Sequence, residues 1–108
     1  MTPYFRLAAL LPPLLLAAPA QAQTLEQMAG QMIVVGFQGD DAGDAAVATL
    51  RDELAAGRLG GVMLLKLNVR SLDAVAEMNA AFRAASPDLP PFITLDQEGG
   101  AVERLTGD

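Results

Sequence analysis

The sequence predicts an α/β fold with parallel strands, and three observations predict it. Three continuous apolar runs occupy residues 32–37 (Met32-Ile33-Val34-Val35-Gly36-Phe37), 62–67 (Val62-Met63-Leu64-Leu65-Lys66-Leu67) and 92–96 (Phe92-Ile93-Thr94-Leu95-Asp96). They do not alternate apolar with polar residues, so they read as strands covered on both faces. A stretch with helical periodicity separates each run from the next, and such a succession joins parallel strands by right-handed crossovers.

The first element stands outside that pattern. Arg6 leads into a Leu- and Ala-rich run over residues 7–18, which ends in Ala18-Pro19-Ala20-Gln21-Ala22. A short basic start, an apolar core and small-x-small cleavage positions after Ala20 or Ala22 make an export signal over residues 1–22. The run is too short, and too broken by Pro12 and Pro13, to span a bilayer comfortably. A retained N-terminal anchor is the competing reading, and the lack of a stop-transfer flank weighs against it. The chain has no Cys, which excludes a lipoprotein anchor. The mature part is therefore residues 23–108, expected in the periplasm or secreted, with no membrane association after cleavage.

Thr24-Leu25-Glu26-Gln27 has the form of a capping box, so a short helix begins there and gives way to the first strand. Gln38-Gly39-Asp40-Asp41 is a turn-rich loop. A helix follows over about residues 44–56, with Val47, Leu50 and Leu54 on one face and Gly57 at the left-handed position that ends it. Gly60-Gly61 introduces the second strand. Ser71 caps a second amphipathic helix with Val75, Met78 and Phe82 inward, and Asp73 lies in its first turn, where a negative charge suits the dipole. Pro87 marks its stop, Pro90-Pro91 leads into the third strand, and Gln97-Glu98-Gly99-Gly100 follows it. This rhythm opens both the doubly wound sheet and the eight-stranded α/β barrel, and the pattern alone does not separate them. Three apolar strands leave edges and one sheet face uncovered, a barrel needs about 250 residues, and no closing element precedes Thr106-Gly107-Asp108. The expectation is an N-terminal piece of a larger fold.

Composition narrows the chemistry. The 108 residues carry a formal net charge of −6, and without Arg6 six basic groups face thirteen acidic ones. That balance argues against a nucleic-acid partner and against an anionic membrane surface. With no His and no Cys, the chain alone builds no Ser-His-Asp triad, thiol nucleophile or imidazole or thiolate metal site. Carboxylates, Arg, Lys and backbone groups remain. No cofactor and no metal is expected.

Ligands in both architectures sit at the C-terminal ends of the strands, here Gly36-Phe37, residues 66–68 and residues 96–98. Asp96 and Glu98 follow an apolar strand and precede two glycines, a pattern open to four roles: binding sugar hydroxyls, holding a cation, acid–base work, or simple solvation in a turn. At positions i and i+2 their backbones would lie roughly 6.6 Å apart on a continuing strand. That falls between the carboxyl separations of retaining glycosidases, about 5–5.5 Å, and inverting ones, about 6.5–9.5 Å. Because Gly99-Gly100 ends the strand, the pair is not taken as catalytic machinery. Lys66 points into the mouth or snorkels. Gly60-Gly61 precedes a strand and so fails the phosphate-loop geometry. Met28, Met32, Met63 and Met78 read as core filler. Asp40, Asp41 and Asp44 lack EF-hand spacing and read as turn and cap residues.

The segment Leu59-Gly60-Gly61-Val62-Met63-Leu64-Leu65-Lys66-Leu67-Asn68, then Phe92-Ile93-Thr94-Leu95-Asp96-Gln97-Glu98-Gly99-Gly100-Ala101-Val102-Glu103-Arg104-Leu105, resembles the opening of glycoside hydrolase family 3 in its β-N-acetylhexosaminidase branch. The likeness reaches back through Gln31-Met32-Ile33-Val34-Val35-Gly36-Phe37. It implies the first three β/α units of a TIM-type (β/α)8 barrel, incomplete in this chain. It also implies that Asp96 and Arg104 bind the sugar in the −1 subsite, with Glu98 supporting the loop. Ala101 departs from the Arg that many members of this branch carry. The resemblance further implies hydrolysis with retention through a covalent intermediate on a late Asp, a His–Asp acid/base and a Lys-His sugar-binding element. None of these lies in the chain, so no catalytic residue is assigned here. The implied partner is a carbohydrate, a terminal β-linked N-acetylglucosaminide from cell wall or chitin, although the family also holds β-glucosidases and β-xylosidases. The competing reading is a non-catalytic carbohydrate-binding or remnant α/β module.

Overall fold

The computed structural model describes residues 22–106; the leader assigned to residues 1–22 lies outside them apart from Ala22. The elements are α1 (Leu25–Gly30), β1 (Val34–Gly36), α2 (Ala45–Ala55), β2 (Gly61–Leu64), a 3-10 turn (Lys66–Asn68), α3 (Leu72–Ala85) and β3 (Phe92–Leu95). The strands form one parallel sheet in the order β1-β2-β3.

Local chemistry sets the boundaries. The Thr24–Gln27 capping box is formed in both directions, with Gln27 N donating to Thr24 Oγ1 at 3.1 Å and Thr24 N to Gln27 Oε1 at 3.0 Å. Ser71 Oγ caps α3 by accepting from Ala74 N at 3.1 Å. Gly57, just past α2, has φ 72. Gly60 and Gly61 serve close approach: a Cβ on Gly60 would stand 2.1 Å from the Gln31 carbonyl oxygen, and one on Gly61 2.2 Å from that of Phe92.

The register assigns the two sheet faces. Val35, Val62 and Ile93 form one row and Leu64 and Leu95 the next, on the side where α2 and α3 pack. Val47 and Leu54 of α2, Val75, Met78 and Phe82 of α3, and Phe37 close that core around Val62 and Leu64. Fully burying each such side chain contributes about 1.5–3 kcal/mol. Phe37 and Phe82 meet edge-to-face, with centroids 5.6 Å apart and an interplanar angle of 82°. The opposite face carries Val34, Gly61 and Phe92 in one row and Gly36, Met63 and Thr94 in the other.

That second face corrects several sequence expectations. One sheet face is left open, as three strands with two crossovers were expected to leave it: Val34, Met63 and Phe92 are 42%, 39% and 68% exposed, because both crossover helices lie on the other side, and the strands are covered on one side only. Met63 on that face, Met28 in α1 and Met32 in the turn after it are exposed and not core filler, and of the four methionines named from sequence only Met78 is buried. Met32 and Ile33 do not belong to β1. Their N–H groups donate to Ala29 and Gly30 carbonyls at 3.1 and 3.0 Å in a turn that closes α1. Lys66 is not on a strand either. The ladder of β2 stops at Leu64, the next N–H (Leu65) donates to Asn68 Oδ1 at 2.8 Å, and Lys66 opens the 3-10 turn, exposed.

Candidate functional site at the C-terminal ends of the strands

Because the strands are parallel, the segments after β1, β2 and β3 emerge at one end of the sheet. The first is shaped by its aspartates. Asp44 Oδ2 accepts from Asp40 N and Asp41 N at 2.9 and 3.1 Å, and Asp41 Oδ1 from Gly43 N at 2.8 Å. These are the turn residues the sequence suggested. Asp44 holds the N-cap position of α2 by backbone geometry but makes no side-chain bond to the helix. Among the described residues no group of three acidic side chains is arranged to hold a metal ion.

Asn68 fastens the first segment to the second. It is fully buried, and its Nδ2 donates to the Phe37 and Gly39 carbonyls at 3.0 and 2.7 Å while Oδ1 accepts from Leu65 N. Every polar atom of the amide is used, as burial requires. On the surface Arg70 Nη2 reaches Asp41 Oδ2 at 2.6 Å. The Gly43 N–H first, and the Arg70 guanidinium second, hold the Asp41 carboxyl below the ordinary carboxylate value. Asp41 in turn raises Arg70 above the ordinary guanidinium value.

The third segment carries both residues singled out by the resemblance, and the structure brings them together. Arg104 Nη2 lies 3.1 Å from Asp96 Oδ2, with the side chains 17% and 35% exposed. Arg104 also lines a cleft of about 450 Å³ with Val69, Arg70, Ser71, Leu72 and Asp73, so this segment meets the start of α3. Glu98 is exposed, and its backbone N–H donates to the Val102 carbonyl at 2.8 Å, a bond that does not draw on its carboxylate. Two residues that hold the site, Asn68 and Gln97, had no role assigned from sequence. An amide one turn past an apolar strand is the signal, but composition does not distinguish a lock from a solvated turn residue.

A parallel α/β unit with both helices on one face and a carboxylate–guanidinium pair at the strand ends belongs to the class that takes ligands at that end. Known proteins make the class specific. Over 74 residues, 68% of this chain, it is 42% identical to a β-hexosaminidase of Xanthomonas campestris pv. campestris (strain B100) and 41% identical to one of Stenotrophomonas maltophilia (strain K279a). Among solved structures, a glycoside hydrolase family 3 β-N-acetylglucosaminidase from Paenibacillus sp. str. FPU-7 aligns with TM-score 0.57 and 31% identity, covering 79% of this chain and 16% of that one. A fungal multi-domain family 3 β-N-acetylglucosaminidase aligns with TM-score 0.56 and 26% identity, covering 75% and 10%. No family model matches. The segment belongs to glycoside hydrolase family 3, a family of glycosidases, and matches part of the N-terminal domain of its hexosaminidase-type members. The alignment spans about a fifth (21%) of the length of those bacterial relatives.

Proposed function

We propose that residues 23–108 supply part of the sugar-holding mouth of an exported, retaining glycoside hydrolase that removes terminal β-linked N-acetylglucosamine from cell-wall or chitin-derived substrates. The observation that carries this reading is the meeting of Asp96 and Arg104 at 3.1 Å at the C-terminal end of the sheet, in a segment this similar to β-hexosaminidases. Asp96 Oδ2 takes the guanidinium, and Oδ1 is the oxygen that accepts a sugar hydroxyl. Such bonds to an ionised carboxylate are charge-assisted and about twice as strong as neutral ones. Arg104 pairs with the carboxylate and offers its remaining N–H donors to the same sugar.

The parent architecture in this reading is the (β/α)8 barrel. Consecutive parallel strands with both helices on one face support it, and so does the open face carrying Val34, Met63 and Phe92, the face that a closed barrel fills with side chains. The nucleophile and the acid/base belong to the remaining length of the enzyme. The leader over residues 1–22 directs the product to the periplasm or the medium.

The test uses the complete product that contains this segment, assayed on a β-N-acetylglucosaminide and a β-glucoside. Hydrolysis of the first in preference to the second is expected. Asp96→Ala should lower kcat/KM more than about tenfold, roughly 1.4 kcal/mol of transition-state stabilisation. Unchanged kinetics would remove Asp96 from the site, and N-acetylglucosamine binding without turnover would support a non-catalytic module instead.

A further inference from the structure

Residues 96–105 leave β3 at Asp96 and come back at Arg104, so the two charged side chains meet only because the loop returns on itself. Its tip is a small hairpin in which Gly99 and Val102 bridge. The Val102 carbonyl accepts from Glu98 N and Gly99 N at 2.8 and 3.0 Å, and Gly99 and Gly100 take φ 82 and 60, the region glycine enters freely. None of those bonds reaches the neck, where Asp96 and Arg104 stand.

One side chain closes the neck. Gln97 Oε1 accepts from the backbone N–H of Arg104 at 2.7 Å and of Leu105 at 3.1 Å, while Nε2 donates to the Leu105 carbonyl at 3.2 Å. The carboxamide pairs with Leu105 as a peptide group pairs across an antiparallel ladder, one N–H taken and one given. Two N–H donors facing one atom and a carbonyl facing the other also assign which end is oxygen. Gln97 is exposed, so water would satisfy its amide as well; what the three bonds accomplish is to pin the backbone at Arg104 beside the end of β3. Arg104 has little else to hold it. Its only described side-chain bond is the one to Asp96, and its Nε is buried with no partner among the described residues. Where the guanidinium sits therefore follows from where the backbone is put.

We infer that Gln97 is the positioning residue of this mouth, its carboxamide fixing the Arg104 backbone so that the guanidinium and Asp96 present one joint surface to the sugar. This rests on the reading that Asp96 and Arg104 bind that sugar.

The experiment is a double-mutant cycle in the complete enzyme, with kcat and KM measured on an aryl β-N-acetylglucosaminide. The variants are Gln97→Ala, Gln97→Glu, Arg104→Ala and Gln97→Ala/Arg104→Ala, with Asp96→Ala as the control on the site. Gln97→Ala should lower kcat/KM about tenfold. Gln97→Glu keeps the oxygen that receives both N–H groups and should retain the larger part of the activity. In the Arg104→Ala background the Gln97→Ala change should cost less than about twofold, because a residue acting through Arg104 has nothing left to position. If Gln97→Ala does not fold, Gln97→Met, which keeps the chain length without the amide, takes its place in the same cycle. Losses that multiply fully in the double variant, or an amide-free variant (Gln97→Ala, or Gln97→Met in its place) within about twofold of the parent while Arg104→Ala is impaired, would overturn the inference. Unchanged kinetics for both Asp96→Ala and Arg104→Ala would instead defeat the reading of the site itself.

Discussion

Replacing Asn68 by Ala should destabilise the fold by about 3 kcal/mol, through the two loops that the amide joins. The Phe37 carbonyl bond lies in the interior, and stripping a buried acceptor of its partner costs about 1–3 kcal/mol. The Gly39 carbonyl and the Leu65 N–H are part-buried and regain some water, so each loses about 0.5–1.5 kcal/mol. The sum spans about 2–6 kcal/mol, and water entering the space left by the side chain favours its lower half. Urea unfolding of the complete product, followed by the midpoint at constant m, is the assay. Asn68→Asp separates donor from acceptor. It keeps an oxygen for Leu65 N but sets a second oxygen against two carbonyls, so it should lose at least as much as Ala. A midpoint shift worth less than about 0.5 kcal/mol for either variant, the size of an ordinary surface change, would refute the assignment of Asn68 as a lock.

Further outcomes follow from the same geometry. The Asp41 carboxyl should titrate below the ordinary Asp value in an NMR experiment. Its stabilisation is thus complete above the unfolded-state pKa and is lost as pH falls through the lower folded one. Arg70→Ala should move the titration only part of the way back, because the Gly43 N–H, the larger cause, stays; a full return would reverse that ranking. Gly60→Ala should lower the melting temperature more than Gly99→Ala. The first drives a Cβ to 2.1 Å from a backbone oxygen, a clash costing about 1–3 kcal/mol or more. The second meets nothing within 4 Å at φ 82, so only the left-handed backbone, about 1–2 kcal/mol, opposes it. Equal melting temperatures would mean that the Gln31–Gly60 contact gives way.

The parts of this fold legible in sequence are those governed by local chemistry. Thr24 with Gln27, Ser71 and Gly57 each act within a turn of chain, and the structure finds each of them in that role. The inward faces of α2 and α3 were legible for a related reason, since Val47 and Leu54, or Val75, Met78 and Phe82, must share a partner at helical spacing. What escaped was decided over long range. That one sheet face stays uncovered was legible, but nothing around Met63 tells that it lies on that face, and nothing around Lys66 tells that Asn68 will take the next N–H from the ladder. The site divides in the same way. Asp96 and Arg104 were marked through a motif, whereas Gln97 and Asn68 act on backbone atoms eight and about thirty residues away, partners that no periodicity reveals.

The uncovered sheet face yields the final prediction. Val34 and Phe92 flank Gly61, which has no side chain to shield them, and Met63 lies in the next row. Among the described strands, β1 and β3 are also edges, with backbone groups available for pairing. Burying one side chain such as Phe92 is worth about 1.5–3 kcal/mol, so a few of them between two copies offset much of the several kcal/mol that association costs. Residues 23–108 prepared alone should therefore self-associate in sedimentation velocity and bind a hydrophobic dye. Phe92→Ser should reduce both without changing helix content, since Phe92 lies across the sheet from α2 and α3. A monodisperse monomer that melts cooperatively would refute this. If instead the variant associates as strongly as the parent segment, the strand edges rather than the face drive the contact. If the proposed barrel closes over this face in the complete product, the face should be silent to the dye there, because closure and self-association would compete for one surface.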